Sequence, residues 1–365
     1  MIHKNAGKCV VFVVTVFLMC MCKKSSVLAQ DYIEIDKFLY DNDLYTGNGF
    51  GDYVEAIKSE GKINLTVLTG QIKIYIKQQL NRYKNYMLTI LGMSLLCGMS
   101  ISFFKGTMLG KMAEGTFTIT YMVIGVVLVS LFSDVYVVTV DTIALIRDFM
   151  KTVIPVFAGM VAFSTGSFSA TGYATLSMAI LTAVNIIIIA VVVPLSRVYM
   201  IINITGNFMD DNRFVRLTKF VEKLAFFIVS SLLVLVVTLS VFQKMILPYK
   251  DMTARQTLFG TLQAIPMAGN TVSQISDLLF SSSMLVKNAI GLSALILILI
   301  MLLSPIIRIF LSMLLIQFIA AIIAPVSDSR IAELVEGVAK AIGILGMSLM
   351  TCAGLFMITL ALTCT

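Results

Sequence analysis

The chain has 365 residues, of which 58% are hydrophobic and only 13% charged. Apolar residues that numerous and that continuous exclude a water-soluble core and define a polytopic membrane protein. The net charge of +7 does not mark a nucleic-acid partner, because the lysines and arginines are scattered through loops among acids, where they act as topology signals.

Lys4 and Lys8 precede a short apolar run from Cys9 to Cys22, and Val27-Leu28-Ala29 follows ahead of a polar, acidic stretch. Residues 1–29 therefore read as a secretory signal peptide cut after Ala29, while Lys23 and Lys24 keep an uncleaved anchor open. Residues 30–85 form an extracytoplasmic region. Its Gly49-Phe50-Gly51-Asp52 is not the GxGD of an intramembrane protease, since the flanks are polar and no membrane helix surrounds it. From Leu65, apolar residues at three- and four-residue steps (Leu65, Leu68, Ile72, Ile76, Leu80, Tyr83) predict an amphipathic helix. It reads either as a surface for membrane or partner, or as a solvated connector.

Apolar runs follow at 86–104, 116–140, 173–194, 224–247, 289–325 and 341–363, each long enough to cross about 30 Å of hydrocarbon as a helix. Hydropathy favours a separate crossing at 306–325, whereas comparison with the short segment 198–209 favours a dip. The fold class is all-α, with about seven membrane helices. Residues 86–140 carry the first two. No alternating segments of a barrel are visible.

The remainder reads as two tandem repeats, 141–251 and 252–365. IPVFAG at 154 is echoed by IPMAGN at 265, and Pro155 and Pro266 stand at the same spacing as Pro194 and Pro305 and as Arg197 and Arg308. Further on, Asp211-Asn-Arg213 matches Asp328-Ser-Arg330, and Lys223 matches Lys340. A helix reaching Pro155 or Pro266 should kink or stop, and Gly159 and Gly269 admit close backbone approach. Asp141, Arg147, Asp148 and Lys151 would together cost roughly 10 kcal/mol at the bilayer centre, against about 4 kcal/mol returned by IPVFAGMVAF. Residues 141–165 are thus expected at the interface, or as a broken re-entrant piece covered by other helices. Paired breaks point to a pathway or binding site at Pro155, Gly159, Pro194, Arg197, Pro266, Gly269, Pro305 and Arg308. The alternative is that they only shape helix packing. The small-residue stretches 164–172 and 280–283 fit either reading.

With residues 30–85 outside, Lys105, Lys111, Arg197, Arg213, Arg216, Lys219 and Lys223 fall on the cytoplasmic side. Asp134, Asp141 and Asp148 would share a face if 134–148 were one helix, as a polar collar or a cation path. His3 is the sole histidine, no GxxxxGK[ST] is present, and the six cysteines form no metal-binding pair. No catalytic, cofactor-binding or metal residue is expected, and the chain is not expected to be an enzyme.

The ordered series IPVFAGMV, VVVPLSRVYMIINI, RLTKFVEKL, AIPMAGNTVSQISDLL, SSSMLVKNAIGLSALILILIMLLSPIIRI and IAAIIAPVSDSRI resembles the stage III sporulation protein AE family of endospore-forming bacteria. The resemblance implies a multi-pass protein of the mother-cell membrane around the forespore. It implies a place in a channel or secretion-like complex that supports late forespore gene expression. Implied partners are ring-forming proteins, other membrane subunits and a separate ATPase, beside membrane lipids and, as an open question, further copies of the chain. Two other functions remain open: an autonomous secondary transporter with a solute site between the repeats, and a membrane scaffold for ring proteins. Replacing both Pro155 and Pro266 by Ala is expected to lower spore yield while the protein stays in the membrane; unchanged yield would show the breaks to be dispensable.

Overall fold

A computed structural model describes residues 65–104, 110–165, 168–209, 212–263 and 269–364. Residues 1–64, with the signal peptide expected at 1–29, and Pro266 lie outside the described residues. Among the described residues seven α-helices follow in order: α1 (Leu65–Phe104), α2 (Gly110–Thr165), α3 (Phe168–Ile187), α4 (Val193–Met209), α5 (Asn212–Gln263), α6 (Gly269–Ile323) and α7 (Ser329–Cys364). A π-helical stretch, Ile188–Val192, joins α3 to α4. Among the described residues six segments are long and apolar enough to cross a membrane: Ile76–Phe103, Met112–Val153, Ala179–Met209, Phe214–Leu239, Gly291–Ile323 and Ser329–Thr359.

This is an all-helical membrane architecture, with differences from the sequence reading. Residues 306–325 are not a separate crossing: α6 runs without interruption through Pro305 as far as Ile323. Pro305 removes one backbone donor but brings no turn-forming residue, and the Leu- and Ile-rich sequence on both sides propagates the helix. Likewise α2 does not stop at Pro155 and continues past Gly159 to Thr165. The amphipathic stretch from Leu65 and the first membrane span are one helix, α1. Residues 141 and 252, where the two repeats are expected to begin, lie within α2 and α5.

α7 is the centre of the bundle. Its membrane span is 72% buried, against 22% for the spans of α1 and α5, which therefore form the periphery. Apolar side chains within a bilayer gain little from avoiding lipid, so close packing and hydrogen bonds must hold such helices together. Small residues on α7 permit that closeness. A methyl group added at Gly346 would come 3.1 Å from Ile309 Cγ2 of α6, and one at Gly337 would overlap the amide of Asn203 on α4. Farther along, Phe356 of α7 meets Phe149 of α2 edge to face, with ring centroids 6.5 Å apart.

Four core hydroxyls are bonded within their own helices, whereas the buried Ser94 and Tyr83 hydroxyls have no hydrogen-bond partner among the described residues. Thr139 donates to the Val135 carbonyl, Ser312 to Ile309, Ser348 to Ile344 and Thr359 to Leu355. These groups cross the apolar interior already satisfied. The substitution Gly337→Val should destabilise the bundle by about 1–3 kcal/mol through overpacking against Asn203. Thermal unfolding of the protein in detergent reads this directly, and an unchanged midpoint would contradict the close α4–α7 crossing.

Candidate functional site

The turn between α6 and α7 brings together the main polar groups of one end of the bundle. The Val326 and Ser327 amides close the end of α6 by donating to the Ile323 carbonyl, and Pro325 stands where the helix can no longer continue. Asp328 then caps α7. Its carboxylate accepts the Arg330 amide at 3.0 Å, and its carbonyl accepts the Ala332 amide at 3.3 Å. The Arg330 guanidinium returns to the same carboxylate through Nε at 3.1 Å and a terminal nitrogen at 3.0 Å. It also lies 3.7 Å above the Phe117 ring of α2.

Neighbouring helices lock onto this turn. Gly98 of α1 lies against the Val326 carbonyl so closely that any Cβ would overlap it. On α2, Phe117 packs on Tyr121 with centroids 5.6 Å apart, and the Tyr121 hydroxyl donates to the Ile204 carbonyl of α4 at 2.6 Å. On α4, the buried Asn203 amide donates across to the Leu334 carbonyl of α7 at 3.1 Å, and Asn207 donates to Asn203 Oδ1 at 3.0 Å. Together these contacts tie α1, α2, α4, α6 and α7 at one level.

The residues singled out from the sequence are distributed over several helices. Pro155 and Gly159 lie within α2, and their side chains are outside the described residues. Pro194 follows the π-helical stretch and has a physical claim to have produced it. Without an N–H, it cannot donate to the carbonyl four residues back, and its ring crowds the preceding turn. The Val193 amide bonds to the Ile188 carbonyl in the wider π pattern. Arg197, one turn on, is exposed and holds its guanidinium 3.5 Å above the Tyr136 ring of α2. Gly269 is the first residue of α6. Pro305 is buried within that helix, and Arg308 has a buried Nε with no hydrogen-bond partner.

Sequence reasoning passed over the interhelical roles of Gly98, Phe117, Tyr121 and Gly337. The signal that could have found one of these contacts was the Asn203/Asn207 pair, since two amides four residues apart in an apolar helix must share a face and find partners. The Asp134, Asp141 and Asp148 series does lie on one continuous helix. Asp148 pairs with Arg147 at 3.3 Å and with Lys151 at 3.0 Å. No group of His, Cys, Asp or Glu suited to a metal ion occurs among the described residues.

Among the described residues, five apolar spans around a sixth, the buried central helix α7, clamped by polar contacts at one end, define a multi-pass helical membrane protein. The profile of the stage III sporulation protein AE family matches residues 49–365, and the chain belongs to that family. It is 20% identical over 227 residues to the stage III sporulation protein AE of Bacillus subtilis (strain 168), an alignment covering 62% of this chain. That alignment spans only 57% of the relative's own length. No solved structure matches the chain.

Arg330→Lys keeps the charge but loses the planar fork on Asp328 and the stacking on Phe117. It should lower stability by about 1 kcal/mol, seen as a lower unfolding midpoint in detergent. No change would remove Arg330 from the set of interhelical anchors.

Proposed function

We propose that the protein is an integral membrane component of a multi-protein channel or export complex between mother cell and engulfed forespore, supporting late forespore gene expression. Its place is the mother-cell membrane around the forespore. The observation that carries this reading is family membership over residues 49–365, joined to six candidate membrane spans. The chain has no P-loop sequence, which fits a separate ATPase as the source of energy. Ring-forming proteins and other membrane subunits complete the proposed assembly. The chain itself acts without catalysis, cofactor or nucleic acid.

The two tandem repeats, with Pro194 and Pro305 at matching positions, remain part of the proposal. Their corresponding elements are α3–α4 and α6, each returning through a D-x-R sequence into α5 and α7.

The test is microscopy of sporulating host cells that lack the gene, with a late forespore-specific reporter. Small forespores arrested after engulfment, with a silent reporter, are expected. Normal spores with an active reporter would overturn the sporulation-complex role and return attention to solute transport.

A further inference from the structure

Two charges of opposite sign lie at matching depth in the bundle without a partner among the described residues. Arg308 is in the middle of the Gly291–Ile323 span of α6, its Nε buried and lacking any hydrogen-bond partner. Asp134 is in the middle of the Met112–Val153 span of α2 and takes part in no ion pair among the described residues. Arg197 is engaged on the Tyr136 ring, two residues along α2 from Asp134, and forms no ion pair with Asp134.

Their depth follows from the charged rims. By helical rise, Asp134 is about 25 Å above Phe117, which marks the Asp328–Arg330 turn, and about 20 Å below the Arg147–Asp148–Lys151 cluster. A hydrocarbon layer of about 30 Å set between those rims has Asp134 near its middle. Arg308 stands about 22 Å above Ile323, at the turn end of α6, and therefore at nearly the same level. Unpaired ions at such a depth are costly, and they mark contacts with another polar group.

We propose that Arg308 of one copy of this chain pairs with Asp134 of a second copy within the membrane. Both residues are half-buried, so part of each is open to a neighbouring molecule. Two copies inserted the same way across the membrane hold the two opposite charges at the same level. The contact is heterologous, using different surfaces of the two copies, so it builds a ring or an open row. It stands independently of the sporulation role.

The test uses the full chain with its native cysteines replaced, expressed as two differently tagged copies in one membrane. One copy carries Ser133→Cys and the other Ile307→Cys, leaving both charges in place. Oxidation is expected to give a cross-linked dimer bearing both tags, and neither substitution alone should link at comparable yield. Recovery of one tag by the other, without cross-linking, should fall at least tenfold for Asp134→Arg or Arg308→Asp and return when both reversals are in every copy. A link formed only inside a single chain carrying both cysteines would overturn the proposal in favour of an internal pair. Recovery indifferent to the charge reversals, or a strictly monomeric chain in lipid nanodiscs, would overturn it as well.

Discussion

Asn203 reaches the Leu334 carbonyl because residue 337 presents no side chain in its way. In water an amide so placed would exchange one set of hydrogen bonds for another at small net gain. Within apolar surroundings the alternative is an amide with no partner, and the crossing of α4 over α7 is therefore fixed in both distance and register. Since α7 is the most buried helix, everything that packs on it inherits that fixed point. Asn207 then follows Asn203, Tyr121 meets Ile204 one residue farther along α4, and the Phe117 ring receives Arg330.

Two kinds of contact divide the work of holding the bundle. Along most of its height, apolar side chains interdigitate around α7 with gains that come from dispersion and fit. At the turn end, charge-assisted bonds and aromatic rings fix geometry where polar groups are easier to accommodate. The Asp328 carboxylate serves as helix cap, as receptor for a bidentate guanidinium and as a negative charge at the start of α7. The guanidinium in turn reaches another helix. A three-residue sequence, Asp-Ser-Arg, thereby connects the end of one hairpin to the packing of its neighbours.

Much of the helical class was legible in the sequence, because runs such as 86–104 and 341–363 are too apolar and too long for anything but membrane helices. The effects of the prolines were legible only in part. Pro194 is accompanied by a π-helical distortion, whereas Pro305 sits inside an uninterrupted α-helix and α2 passes through Pro155. A proline removes one donor and adds one steric demand, and the surrounding packing decides how that demand is met. The sequence likewise displayed Arg330 in a turn motif, but its ring partner Phe117 stands more than half the chain away, and no local pattern connects the two.

The π-helical stretch before Pro194 also sets an angular phase. Each residue of an α-helix turns the side-chain direction by about 100°, so accommodating one extra residue in a widened turn rotates all that follows relative to all that precedes. Leu181, Val184 and Asn185 are buried before the distortion, and Tyr199, Asn203 and Gly206 are buried after it. Two segments whose buried stripes need not share a single helical spiral can thus serve the same bundle. Seen this way, Ile188–Val192 acts as a vernier between the two halves of the α3–α4 rod, and the aim of the Asn203 amide depends on its setting.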